Sequence, residues 1–324
     1  MATQVKNGKA FEYALAKVYY DEISAQGYLV TLVEDGAYKI AKGYFDDFSE
    51  AIQERYIASA KATVDTILKI EPGLTAQKDK NDELSIRLAS DMEGQAGDVR
   101  DVIFTRKHSK WEIGFSAKNN NDSQKHSRIS VSNDFGEKWF GVNCSDEYWK
   151  EIKPIFEFVK EYKDKDLLWD DMGELKETKV YIPILDAFRK EIQRINKDNS
   201  HIPEKLISYV IGNHPFYQII KLDKKNLVVV KAFNIGGGLN KTVNKKKSRY
   251  GIPVLALPTR IVEIEYSKKP DEMIQDTLNM ILDGGWEISF RIHSADNPIV
   301  LSCKFDVKLL GNPPILFSQY LFQD

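Results

Sequence analysis

The segment from Asp98 to Lys118 constrains the fold of this chain more than any other. Asp101 leads into the apolar run Val102, Ile103 and Phe104, and after the polar turn RKHSK (residues 106–110) comes a second strand-like run, WEIGFSAK. Two such runs joined by a short polar turn read as an antiparallel hairpin. With the turn centred near His108, Asp101 falls opposite residues near Phe115, and Asp98 opposite residues near Lys118. Strand alternation puts Ser116 and Lys118 on one face. The hairpin thus gathers a carboxylate, a hydroxyl and an amine, and a chain with this unit in its first half must build a sheet around it.

The flanking sequence supplies helices for that sheet. Asn7 is a suitable N-cap for a helix over Lys9–Asp21, with Phe11, Ala14, Leu15 and Val18 at helical spacing. A short strand pair is expected at Tyr28–Val33 and Tyr38–Ala41, then a long helix from Tyr44 to Ile70 ended by Pro72 and Gly73. Leu84, Ile86 and Leu88 alternate as a strand does. After the hairpin, NNNDSQKHSR reads as a loop, and further helices are expected from Asp146 and over Ile182–Ile195. From about residue 165 strands dominate (QIIKL, NLVVVKAF, TRIVEIEY, WEISFRIH, IVLSCKFDVKLL), with a helix expected near Asp271–Leu282. The fold class is therefore α/β (α+β): residues 1–165 as an α/β core with a mixed sheet flanked by helices, and residues 166–324 as a β-rich half.

Composition narrows the chemistry. At 42% hydrophobic and 29% charged the chain reads as a soluble globular protein. It has no apolar run near the roughly 18 residues that span a bilayer and no signal-peptide core, so a cytoplasmic, membrane-free protein is expected. Cys144 and Cys303 are the only cysteines and lie far apart, which supports neither a zinc ribbon nor a disulfide framework. The five histidines show no metal spacing. A catalytic metal would then rest on oxygen ligands, which favours Mg²⁺ with Mn²⁺ as a substitute.

A net charge of −2 does not mark a nucleic-acid binder, so any DNA contact must be local. Lys241, Lys245, Lys246, Lys247 and Arg249 follow a Gly236–Gly238 triplet, which suggests a flexible DNA-contacting loop. Arg106, Lys107, His108 and Lys110 form a second basic cluster, and Lys125, His126 and Arg128 a third. Asn120, just after the hairpin, joins the DNA-contact candidates. Plain solvated loops are the competing reading.

The hairpin's side chains suit phosphodiester hydrolysis. A carboxylate and a backbone carbonyl, here that of Ala117, can hold Mg²⁺, while a lysine orients the attacking water and offsets the charge of the transition state. Asp101, Ser116 and Lys118 resemble the PD-(D/E)XK nuclease pattern, with Arg100 at the usual proline position and Ser116 where the second acid normally stands. The resemblance implies an acid from elsewhere. Glu112 is excluded because six residues of strand put it about 20 Å from Lys118 at about 3.3 Å per residue. Many nucleases of this superfamily have a first helix in which a Gly is closely followed by a Glu facing the metal, which points to Gly8 and Glu12. Asp98, Asp134 and Glu137 remain alternatives.

Four blocks, NGKAFEYA, GDVRDVIF, EIGFSAKNN and KHSRIS, are similar to the HaeIII-type restriction endonucleases. That resemblance implies a type II enzyme of a bacterial restriction–modification system acting on double-stranded DNA at GGCC. A palindromic target is most simply met by a homodimer. The competing readings are a repair or modification-dependent nuclease and, from a different class, a DNA-binding module whose nuclease core is inactive.

Overall fold

A computed structural model describes residues 2–95, 97–120, 123–248, 250–267, 276–294 and 296–322. The helices are α1 (Ala2–Ala25), α2 (Gly36–Asp46), α3 (Glu50–Ile70), α4 (Asp91–Gln95), α5 (Phe135–Phe140), α6 (Asp146–Lys163), α7 (Ile182–Asp198) and α8 (Ile202–Ile211). The strands are β1 (Val30–Leu32), β2 (Leu84–Leu88), β3 (Val102–Arg106), β4 (Trp111–Asn119), β5 (Ser123–Ile129), β6 (Phe216–Leu222) and β7 (Leu227–Phe233). They continue with β8 (Ile261–Tyr266), β9 (Thr277–Leu282), β10 (Glu287–His293), β11 (Cys303–Gly311) and β12 (Ser318–Phe322).

These elements form two units, residues 1–122, 212–256 and 315–324 in one and residues 123–211 and 257–314 in the other. The first is built on a mixed seven-stranded sheet of order β1-β2-β3-β4-β6-β7-β12. The expected hairpin stands at its centre, with Val102 opposite Phe115 and Phe104 opposite Ile113. Strand β4 pairs parallel with β6, and a parallel partner needs a crossover. Here the crossover is the excursion through residues 123–211, which is why the unit holding the hairpin is not a continuous segment ending at residue 165.

One buried cluster runs through this unit. Ala10, Phe11, Ala14, Leu15, Val18 and Tyr19 of α1 meet Phe104, Ile113, Phe115 and Tyr217 of the sheet and Ala60, Val64 and Ile67 of α3. Tyr19 lies edge-on to Phe115 with ring centroids 4.9 Å apart, and its hydroxyl pairs with Thr63 Oγ1 at 2.9 Å. Every residue from Ala10 to Ala16 is buried, so α1 is covered on more than one face, a setting that removes water from any polar residue it carries.

The second unit has an antiparallel five-stranded sheet of order β5-β11-β10-β9-β8. Its core is aromatic: Phe188 packs with Phe135, Phe290 and Phe305 at centroid distances of 5.0, 5.1 and 5.1 Å.

Several expected elements differ. Helix α1 starts at Ala2, so Asn7 lies inside it and accepts from Tyr56 Oη at 2.8 Å instead of capping. Residues 38–41 belong to α2, because Asp35 caps that helix by accepting from Tyr38 N at 3.0 Å. The long helix is two, broken at Ser49, which is extended, with Gln53 Nε2 donating to Phe45 O at 3.1 Å and to Phe48 O at 3.0 Å. The polar stretch after the hairpin contains β5, which pairs antiparallel with β11. Of the helix expected near 271–282, residues 277–282 form strand β9, and 271–275 lie outside the described residues.

Candidate active site

The site grows from a difference in strand length. Pairing between β3 and β4 ends at Val102 and Phe115, while β4 continues to Asn119 along β6. Beyond Phe115, the edge of β4 that faced β3 is left to Asp101. The Asp101 N–H donates to Phe115 O at 2.7 Å, and its Oδ2 accepts from Ala117 N at 2.7 Å and from Ser116 Oγ at 3.4 Å. The N–H and C=O of a strand residue point to the same edge, so the Ala117 carbonyl also faces the Asp101 side. Ser116 is buried and spends its proton on Asp101, so it orients an acid and does not replace one.

Helix α1 brings a second carboxylate to the same place. Glu12 is 6% exposed, and burial together with the charge of Asp101 pushes its pKa up to about 8, against the opposing pull of Lys9 and Lys118. Burial also raises the pKa of Asp101, opposed by Lys118, the Ala117 N–H, Lys9 and Ser116. Two acids that raise their cost of ionisation by burial and proximity, with two ammonium groups acting on both, form one electrostatic cluster. Hard oxygen donors in a desolvated cluster of this kind suit a divalent cation better than they suit each other. Asp101, Glu12 and the Ala117 carbonyl are the groups that could hold it. Among the described residues no three His, Cys, Asp or Glu side chains come together as a metal cage. Mg²⁺, which keeps several waters of its own, does not need one.

The other acidic candidates are engaged elsewhere. Asp98 Oδ2 accepts from Arg100 Nη2 at 2.7 Å, and Arg100 Nη1 donates to Glu112 Oε1 at 2.8 Å. Burial opposes the charge on Asp98, but its bonds from Arg100 win and hold the carboxyl below its ordinary pKa. The Arg100 stem lies against Gly114, where a Cβ would come within 2.5 Å of it. Arg100 thus draws Asp98 and Glu112 into its own ion pairs. Asp134 caps α5 by accepting from Glu137 N at 3.0 Å, and Glu137 itself is exposed.

The basic candidates divide. Arg106 is fully buried and donates to the carbonyls of Gly73, Asp82 and Leu74, so it fastens the sheet and is no part of a surface patch. Asn120 and Asp223 bind each other through side chain and backbone, with Asp223 N donating to Asn120 Oδ1 at 2.8 Å. The glycine-rich segment is a built loop: buried Asn234 accepts from Leu239 N at 2.9 Å and donates to Ile252 O at 3.1 Å. Asn244 and Lys245, both at positive φ, form a tight turn bridged by Val243 and Lys246. Lys246 Nζ reaches Thr75 Oγ1 at 2.5 Å and lies 5.7 Å from the Tyr28 ring centroid, which makes it an anchor of that loop. Lys241, Lys245 and Lys247 are exposed. Arg128 is exposed and donates to Ser302 Oγ at 2.9 Å. The side chains of Lys125 and His126, and all of Arg249, lie outside the described residues.

Sequence reasoning overlooked Lys9. Its position three residues before Glu12, one helical turn away, was the available signal.

With this geometry in hand, comparison with known proteins decides the family. The profile of the HaeIII restriction endonuclease family matches residues 8–313. The chain belongs to that family. It is 38% identical over 308 residues to the type II restriction enzyme HaeIII of Haemophilus aegyptius, an alignment covering 95% of this chain and 94% of that protein. No solved structure matches. The match spans both units, so the relationship covers the second unit as well as the hairpin. Type II restriction endonucleases are site-specific deoxyribonucleases that depend on a divalent metal ion, and the oxygen donors around Asp101 fit that requirement.

Proposed function

We propose that this restriction endonuclease homologue hydrolyses duplex DNA at GGCC with Mg²⁺, for which Mn²⁺ can substitute, acting as a homodimer in the bacterial cytoplasm. The observation that carries the reading is the joining of buried Glu12, from α1, to half-buried Asp101 and Lys118 in one electrostatic cluster. Asp101, Glu12 and the Ala117 carbonyl hold the ion. When bound, the ion supplies Lewis-acid polarisation of the scissile phosphate. Lys118 stands beside the attacked phosphate, fixes the water by hydrogen bonding and offsets the negative charge gathering on the phosphoryl oxygens. Ser116 and the Ala117 N–H keep the Asp101 carboxylate in one orientation. Burial within the α1 core serves this chemistry because charge interactions strengthen as water leaves.

Lys241, Lys245, Lys247 and Arg128 serve as phosphate contacts, which position the duplex without reading it. The β-rich half of the chain, residues 166–324, supplies base recognition. The GGCC target rests on the family relationship, and a two-fold dimer matches its palindrome.

The test is cleavage of a plasmid of known sequence with Mg²⁺, with and without the Asp101→Ala change. The expected result is a discrete fragment set ending within GGCC, abolished by the substitution while binding to the same duplex in EDTA persists. Fragments ending elsewhere would refute the target, and cleavage by Asp101→Ala within tenfold of the parent would refute the site. Intact DNA under all divalent ions would favour an inactive binding module.

A further inference from the structure

Lys9 is unaccounted for by the reaction as described. Its Nζ lies 3.1 Å from Glu12 Oε2, and the two side chains are only 19% and 8% exposed. Its charge also acts on Asp101. Next to it, nothing beyond its chain neighbours and the local helix backbone lies within 4 Å of where a Cβ on Gly8 would project. A glycine inside a helix is unfavourable relative to alanine, and packing gives no reason for one here. The helix surface at Gly8, one turn before Glu12, is therefore open.

We propose that Lys9 is the resident counter-ion of the metal site, held on the Glu12 carboxyl until a divalent cation displaces it together with any proton there, and then facing the DNA phosphate. The inference rests on the assignment of Glu12 and Asp101 as the metal-holding acids. An ammonium and a divalent cation cannot share one carboxylate oxygen without strong like-charge repulsion at this distance. Lysine suits the role because its charge sits at the end of a flexible four-carbon stem, so a modest swing clears the oxygen. The displaced ammonium remains tethered to α1 beside the site, where it can neutralise a phosphate oxygen that the metal does not.

The arrangement makes a counter-intuitive demand: deleting a positive residue of the site must tighten metal binding. Removal of Lys9 also favours protonation of Glu12, which competes with the metal. A divalent ion, however, feels the loss of one positive charge twice as strongly as a proton does, so the net effect is tighter binding. The experiment measures Mn²⁺ binding to the DNA-free protein at pH 8.5 by electron paramagnetic resonance, for the parent, Lys9→Met, Lys9→Arg and Glu12→Gln. Lys9→Met is expected to bind Mn²⁺ at least tenfold more tightly, and Lys9→Arg, which keeps the charge, to stay within threefold of the parent. At saturating Mn²⁺, single-turnover cleavage by Lys9→Met is expected to fall at least tenfold, since the phosphate has lost its second cation. Unchanged or weaker Mn²⁺ binding by Lys9→Met overturns the counter-ion role, and undiminished cleavage overturns the phosphate role. Glu12→Gln separates the two layers of the argument. If it loses Mn²⁺ while Lys9→Met is unaltered, the metal site stands and Lys9 is a bystander. If Glu12→Gln binds Mn²⁺ as the parent does, the metal-site assignment fails and the proposal falls with it.

Discussion

Glu12→Gln is the most informative single change, because it separates stability from catalysis. In the metal-free protein Glu12 has a pKa of about 8 where an ordinary glutamate has 4.5, chiefly because it is buried and secondarily because Asp101 is near. The sign follows from linkage. Between pH 4.5 and 8 the folded state keeps a proton on Glu12 that the unfolded state has lost, so stability falls as pH rises through that window and is complete only below it. A shift of one unit corresponds to about 1.36 kcal/mol, so at pH 7.5 the burden is at most about 4 kcal/mol. Glutamine has the same shape and no charge to desolvate. Its only evident loss is the bond from Lys9, about 1 to 2 kcal/mol for a charge-assisted pair. In EDTA, Glu12→Gln is therefore expected to gain roughly 1 to 3 kcal/mol at pH 8 and almost nothing at pH 5. Urea unfolding at the two pH values measures this directly.

Cleavage should move the other way, with the more stable variant severely impaired in Mg²⁺. Such opposition is the mark of an acid retained for function against its folding cost. Were the variant less stable than the parent at pH 8, or were the parent's stability flat between pH 5 and 8, Glu12 would not be a desolvated acid and the reasoning would be refuted.

Lys118→Ala is expected to slow single-turnover cleavage at least about a thousandfold, or roughly 4 kcal/mol of transition-state stabilisation, without rescue by arginine. A near-normal rate from a folded variant would remove Lys118 from the mechanism. Replacing Lys241, Lys245 and Lys247 together by alanine is expected to lower the log–log salt slope of DNA binding by about 2 to 3, whereas Lys246→Ala should leave it unchanged and cost about 1 to 2 kcal/mol of stability. An unaltered slope in the triple variant returns those residues to plain surface. Arg106→Met would leave the carbonyls of Gly73, Asp82 and Leu74 unpaired in the core, and is expected to cost about 3 to 5 kcal/mol in thermal or urea unfolding. A loss under 1 kcal/mol would mean those carbonyls find other partners.

The hairpin was legible in the sequence because both signals agreed there: short apolar runs at strand period, and a polar turn between them. Its register follows closely, with Val102 opposite Phe115 and Asp101 just beyond. What the sequence hid are tertiary choices. Nothing local says that Arg100 will lie over Gly114 and take Asp98 away from the Lys118 end of β4. Lys246 and Arg106 look like neighbouring charges in basic clusters, yet one anchors a loop and the other is fully buried among carbonyls. Strand β5 escaped because its pattern is nearly all polar, and its pairing comes from β11, which lies far along the chain. Helix α2 is hidden for a different reason: its Asp35 cap is readable, but Tyr38–Ala41 reads as a strand and Phe45 as the start of the following helix.

The departure at Ser116 ties these findings together. Under the proposed assignment the second acid comes from α1, one helical turn after Lys9 and on a helix buried from Ala10 to Ala16. Moving a carboxylate from strand to helix changes what must neutralise it when no metal is bound. On the sheet edge, backbone N–H groups such as that of Ala117 can share the burden, as they do for Asp101. On a buried helix interior every N–H is already committed to the helix, so only a side chain can do so. Lys9, at i−3, is placed to do so when Glu12 gives up its proton. The serine in the hairpin, the glutamate in the first helix and the lysine before it are thus one coupled solution, and a change at any of them should be felt at the other two.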